Sequence, residues 1–222
     1  MPDPTWTAVD RYLEHALLRD EPALAQALAS SEQAGLPDIM VSPPQGKFLR
    51  LLAQIAGAKR ILEIGTLGGY STLWLAGAVG EDGKIVTLEY ETKHAEVARR
   101  NFEHAGVGDR IDLRLGKAAE SLEAMIEQGT EPFDLVFIDA DKESSALYVQ
   151  LSIELTRPGS ILVIDNVIRR GRVADESEQS GDVVGMRDTL ELIGRHSRLD
   201  AVALQTVGGK SYDGLCIARV SK

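Results

Sequence analysis

The chain has 222 residues, 44% of them apolar and 26% charged, which is ordinary globular composition and enough to bury one sizeable core. Its formal net charge of −10 argues against nucleic acid as a substrate, because binding to phosphates is driven mainly by Lys and Arg. No apolar stretch reaches the roughly 18 residues of a membrane span, and the acidic start MPDPTWTAVDRYLEH lacks the regions of a signal peptide. A cytoplasmic protein with no membrane partner is therefore expected. The single cysteine, Cys216, sits in an apolar run, which excludes an intramolecular disulfide and predicts a buried core residue. The histidines His15, His94, His104 and His196 lack the i, i+3 or i, i+4 partner of a usual zinc site.

In chain order, Trp6, Val9, Tyr12, Leu13, Ala16 and Leu17 recur at helical spacing, and a second apolar set follows Pro22, so two helices precede the sheet. They serve as a cover, a lid or a dimer contact; periodicity does not choose. Leu36 to Gln45 is a proline-rich loop, and Gly46 to Gly57 a helix. Residues 1–57 thus form an N-terminal helical part, and 58–222 the core of a single domain. The organising stretch is RILEIGTLGGYSTL, Arg60 to Leu73, read as strand, glycine turn and helix. The dinucleotide fingerprint is G-x-G-x-x-G, whereas this turn reads G-x-x-G-G with Glu63 before it. Such a turn suits a ligand without phosphates, such as S-adenosylmethionine.

Strands then alternate with helices: helix from Tyr70, strand Lys84–Leu88, helix Lys93–Ala105, strand Arg110–Leu115, helix Ala118–Gln128, strand Phe133–Ile138, helix Ser144–Leu155 and strand Ser160–Ile164. This alternation predicts an α/β fold with a mostly parallel sheet and helices on both faces. Gly171 to Gly185 reads as a mobile polar loop, followed by a helix Val183–His196, a strand Leu199–Val207, a turn Gly208–Gly214 and a strand Leu215–Val220. The last two strands add an antiparallel edge pair.

Ligands of such sheets gather beyond the carboxyl ends of the strands. There the chain places Glu63, Glu89, Asp139 and Asp165. Glu89 ends the second strand, where an acid suits the hydroxyls of a ribose. Asp139 closes FDLVFID, and Asp165 with Asn166 closes GSILVIDN. If the two strand ends are neighbours, two carboxylates and an amide oxygen surround one point, a hard donor set suited to Mg²⁺. Lys142, three residues past Asp139, is a candidate general base.

Taken together, LEIGTLGGYS, Glu89, LRLGKAAESL, FDLVFIDADK, RPGSILVIDNV and GRVAD resemble the cation-dependent O-methyltransferases of the caffeoyl-CoA and catechol type, from about Ile39 to the C-terminus. The resemblance implies a Rossmann-like class I methyltransferase fold with a seven-stranded sheet, an S-adenosylmethionine donor and a homodimer. It implies that Val41, Glu63, Gly65, Thr66, Ser71, Glu89, Ala118 and Asp139 contact the donor. It further implies that Asp139, Asp165 and Asn166 hold the cation, Mg²⁺ by donor type, and that Lys142 takes the proton. The acceptor is then one hydroxyl of a catechol-like pair.

The acceptor side departs from many relatives. Ser145 stands where they carry tyrosine, Tyr148 keeps the next aromatic position, and Ile168-Arg169 replaces Leu-Trp. Arg169 therefore suggests a polar, carboxylated acceptor, unless its head lies in water. Two other readings are a nicotinamide-dependent oxidoreductase, which leaves Asp139, Asp165 and Asn166 without a role, and a non-catalytic S-adenosylmethionine-binding module.

Overall fold

The computed structural model describes residues 3–221. Helices α1 (Pro4–Leu17), α2 (Pro22–Gln33) and α3 (Pro43–Ile55) precede a seven-stranded sheet. Its strands are β1 (Arg60–Ile64), β2 (Lys84–Glu89), β3 (Ile111–Leu115), β4 (Phe133–Ile138), β5 (Thr156–Asp165), β6 (Leu199–Val207) and β7 (Tyr212–Val220). Helices α4 (Tyr70–Val79), α5 (Thr92–His104), α6 (Ala118–Glu127), α7 (Ser145–Glu154) and α8 (Gly181–Arg195) connect them. The strand order is β3-β2-β1-β4-β5-β7-β6, with β7 antiparallel to both β5 and β6. This is the mostly parallel architecture with an antiparallel edge pair that the alternation of elements predicts.

Several boundaries differ from expectation: β5 begins at Thr156, not Ser160, and ends at Asp165, and three further differences have a local reason. Helix α3 begins at Pro43, not Gly46, because Ser42 caps it by accepting from Gln45 N (3.3 Å) and proline is favoured in the first turn. Strand β7 begins at Tyr212, because the hairpin pairing runs on to Val207–Tyr212 and leaves a shorter turn. The segment expected to be a loop from Gly171 to Gly185 opens with a broken 3₁₀ turn, Arg169–Ala174, keeps irregular backbone over 175–180 as a loop does, and enters α8 at Gly181. Its charged residues bind one another: Arg187 donates to the carbonyls of Val173 (3.0 Å), Glu178 (2.8 Å), Arg172 (3.2 Å) and Asp175.

The chain forms two compact units, Leu13–Ser121 and Met1–Tyr12 with Leu122–Lys222. In the first, α4 is the central helix. It is apolar on all sides, with Tyr70 through Ala76 and Val79 buried, as befits a helix enclosed by its surroundings. Arg50 ties α3 to its neighbours, pairing with both carboxylate oxygens of Glu21 (2.5 and 2.8 Å), donating to Trp74 O (3.0 Å) and lying over the Trp74 ring. In the second unit the core is formed by Phe133, Leu135, Phe137, Leu162, Ile164, Met186 and the inward face of β7. Cys216 is buried there as predicted, and burial pushes its thiol up to about 11. Among the described residues no helix is long and apolar enough to cross a membrane. Helix α1 buries none of its residues, and it leaves Val9, Tyr12, Leu13 and Leu17 exposed, as β6 leaves Val202, Leu204 and Val207.

Candidate active site

In the unit Leu13–Ser121 the glycine turn leaves β1 and enters α4 through Gly69, whose φ is +81°. A Cβ at this position would run into the Phe102 ring, so the turn needs glycine for space as well as for backbone. Glu89, at the tip of β2, is 7% exposed and holds the turn from beside it. Its Oε2 accepts from Thr66 N (3.1 Å) and Leu67 N (2.7 Å), and its Oε1 from Glu91 N (2.9 Å), with His94 Nδ1 at 3.3 Å. The structure thus brings Gly65, Thr66 and Glu89 together, since Gly65 N also donates to Leu88 O (3.0 Å). Gly116 N donates to Glu89 O (2.8 Å), which leads the chain from the end of β3 past the same strand tip into α6 at Ala118.

Glu63 lies elsewhere than its proximity to the turn suggests. It is inside β1, fully buried, with Thr87 as its register partner on β2. Its Oε2 accepts from Thr87 Oγ1 (2.6 Å) and from Thr72 Oγ1 in α4, and Thr87 Oγ1 shares a 2.6 Å hydrogen bond with Thr66 Oγ1. A buried carboxylate is tolerable only when such donors surround it. Glu63 therefore braces strand, turn and helix from within. Thr72 and Thr87 escape sequence reading; the one available signal is a threonine inside the apolar run of β2, at the level of a glutamate in β1. Ser71 opens α4 beside Thr72 and is 9% exposed, while Val41, 5% exposed, immediately precedes the Ser42 cap.

In the other unit, β4 and β5 run parallel with Ile138 opposite Ile164. Asp139 and Asp165 are the next residues on each, so their backbones leave the sheet side by side, about 5 Å apart at the spacing of paired strands. Lys142 is carried on the turn before α7; its Nζ donates to Asp139 Oδ1 at 2.8 Å, and its side chain is 9% exposed. Asp165, 5% exposed, accepts the N–H of Asn166 (2.7 Å), and Asn166 stands in left-handed backbone with φ +58°. Among the described residues no group of three or more His, Cys, Asp or Glu side chains has metal-holding geometry. The set formed here is two carboxylates and one amide. Two adjacent carboxylates repel unless a cation lies between or beside them; Lys142 is one such cation, and the hard-oxygen donors fit Mg²⁺ or a similar ion.

The acceptor-side candidates are engaged within the protein. Tyr148 is 7% exposed, and its hydroxyl donates to Asp141 Oδ1 (2.6 Å). Burial, and then that bond, push the phenol up to about 12. Burial works against the Asp141 carboxylate, but hydrogen bonds from Ser144 and Tyr148 outweigh it and hold it below its ordinary value. Arg169 is held within the protein: its Nε (3.0 Å) and Nη2 (2.5 Å) both donate to Asp182 Oδ2. Arg172 Nη2 reaches the same oxygen at 2.6 Å.

An open α/β sheet of this order, with a glycine turn after β1 and acids at the tips of β2, β4 and β5, defines an enzyme of the class I methyltransferase architecture. Comparison with known proteins agrees. The chain matches the model of the O-methyltransferase family over residues 14–219, and it belongs to that family. It is 53% identical over 212 residues to a catechol O-methyltransferase of Mycobacterium tuberculosis, covering 96% of this chain and 94% of that protein. It is 47% identical to a catechol O-methyltransferase of Niastella koreensis, covering 96% of each. Among solved structures, an O-methyltransferase from Bacillus cereus in complex with SAH is similar with a TM-score of 0.96 and 48% identity, covering 98% of this chain and 99% of that one. The chain is thus an O-methyltransferase, and the nicotinamide oxidoreductase reading falls with the family assignment.

Proposed function

We propose that the chain transfers the methyl group of S-adenosylmethionine to one hydroxyl of a catechol-like acceptor, with a divalent cation held by Asp139, Asp165 and Asn166. The observation that carries the reading is the parallel register of β4 and β5, which aligns Asp139 with Asp165 and leaves Asn166 and Lys142 beside them. Support also comes from two relatives named catechol O-methyltransferase and from the SAH, the demethylated donor, in the Bacillus cereus structure.

When bound, a divalent cation polarises an oxygen and orients vicinal hydroxyls. The chain's own residues do the rest. Lys142, in its neutral form, accepts at Nζ the proton of the reacting hydroxyl and becomes the ammonium that pairs with Asp139. Gly65, Thr66, Ser71, Glu89 and Ala118, with Val41, form the donor's cradle, and Glu63 supports it through Thr72 and Thr87. Holding hydroxyl and sulfonium methyl in line supplies much of the rate. The Arg169 charge is balanced by Asp182, so we assign Arg169 to the loop and keep the acceptor a neutral catechol. The partner we propose for the exposed apolar residues of α1 and β6 is a second copy of the chain.

The reaction is tested by methyl transfer from labelled S-adenosylmethionine to a panel of catechols, with Mg²⁺ and with excess EDTA. Activity is expected only with Mg²⁺, and Asp165→Ala is expected to lower it by about 10²-fold or more. Activity that survives both EDTA and the substitution would overturn the cation-assisted mechanism.

A further inference from the structure

Resting on the cation site just described, we propose that Asp213 is the positioning residue of that site: it pins the backbone beyond Asn166 and so fixes where the Asn166 amide points. Strand β5 ends at Asp165, opposite Leu215 of β7. The two chains do not separate there. Val167 N donates to Gly214 O (3.0 Å), and Asp213 Oδ1 accepts from Ile168 N (3.1 Å), Arg169 N (3.0 Å) and Gly214 N (3.0 Å). A single carboxylate oxygen thus gathers three N–H groups, two of them from the residues two and three places after Asn166.

That anchorage matches a demand of the segment. Asn166, Arg169 and Arg170 all stand at positive φ, +58°, +51° and +58°, a region that residues with a Cβ seldom occupy. Backbone of this kind persists only where its surroundings over-determine it. Asn166 is bracketed, by Asp165 Oδ1 at its own N–H and by Gly214 and Asp213 at the next three residues. The close approach requires glycine at 214, where a Cβ would meet Leu204 O and Ile168 Cγ1. The Asp-Gly pair, read from sequence as hairpin chemistry, is the clamp on a ligand-bearing turn 47 residues earlier in the chain. Asp213 Oδ1 holds the backbone that follows Asn166, and through it the residue acts on the Asn166 side chain.

The test is Mn²⁺ binding, read from the electron paramagnetic resonance of free Mn²⁺, with SAH binding measured by calorimetry on the same full-length proteins. Asp213→Ala and Asp213→Glu, which shifts the oxygens by a methylene, are expected to weaken Mn²⁺ binding by about 10-fold or more. Asp213→Asn keeps an oxygen at Oδ1 and should stay within about three-fold of wild type, as rescue by a neutral acceptor. SAH affinity should be unchanged in all three. Wild-type Mn²⁺ affinity in Asp213→Ala or Asp213→Glu, with Asp165→Ala abolishing it, overturns the inference and leaves the cation site standing; equal loss of Mn²⁺ and SAH binding overturns it as a general folding defect. Mn²⁺ binding unaffected by Asp165→Ala, or absent from wild type, removes the cation site and the inference together.

Discussion

Of the segments that use left-handed backbone, the turn after β1 and the segment after β5 reach it by opposite means. The turn after β1 relies on glycine, with Gly65 at φ +100° and Gly69 at +81°, and only Leu67 (+50°) carries a side chain there. The segment after β5 places Asn166, Arg169 and Arg170 in that region and only then Gly171 (+84°). Glycine makes the first turn locally competent. The second depends on distant side chains: Asp213 on its backbone, Asp182 on Arg169 and Arg172, and Arg187 on its carbonyls. A loop built from glycines announces itself; a loop built from anchors does not.

The difference predicts how each segment breaks. The largest effect is expected at the glycine turn, where Gly69→Ala combines an unfavourable φ with a collision against Phe102. Urea unfolding should show a loss of about 2–5 kcal/mol, the sum of left-handed strain and overpacking; a loss under about 1 kcal/mol would mean that the turn shifts freely.

A smaller effect belongs to Asp182. The Arg169 guanidinium, with Ser180 and Arg172 behind it, holds the Asp182 carboxyl well below the usual carboxylate range. A carboxylate depressed on folding stabilises the protein above its unfolded value of about 3.9, and the benefit fades as pH falls below that toward the folded value. Wild type should therefore lose stability between about pH 4 and pH 2 more steeply than Asp182→Asn. The difference should stay below about 1 kcal/mol, because the side chain is 29% exposed and solvent screens the pair. Parallel acid-unfolding curves would remove the clamp from the account.

The smallest effect is at Arg170, exposed and at φ +58°. Arg170→Gly relieves the strain at the cost of a more flexible unfolded chain, and should raise stability by about 0.5 kcal/mol. A destabilised variant would instead assign the Arg170 side chain a contact of its own.

The same contrast explains how much of the site was legible. Asp139, Asp165, Asn166 and Lys142 stood out because they follow unbroken apolar runs, and parallel register then brought the two aspartates side by side. Glu63 was legible as an acid near the turn but not in its direction, because a strand residue faces whichever side its register dictates, and here that side holds Thr72 and Thr87. Arg169 and Tyr148 were legible as polar groups near the acceptor end, yet their partners, Asp182 and Asp141, lay among charges that read as solvated surface.

By itself, the amino-acid sequence determined the order of strands and helices, the glycine turn and the oxygen donors at the strand ends. Each of these follows from local periodicity, backbone preference and side-chain chemistry. Only the tertiary structure decided that Glu63 braces the turn from inside, that Arg169 is held by Asp182, and that Asp213 reaches back to the turn after Asn166. Those pairings join residues from 9 to 45 positions apart. Their identity is set by strand register and helix packing, which no local pattern contains.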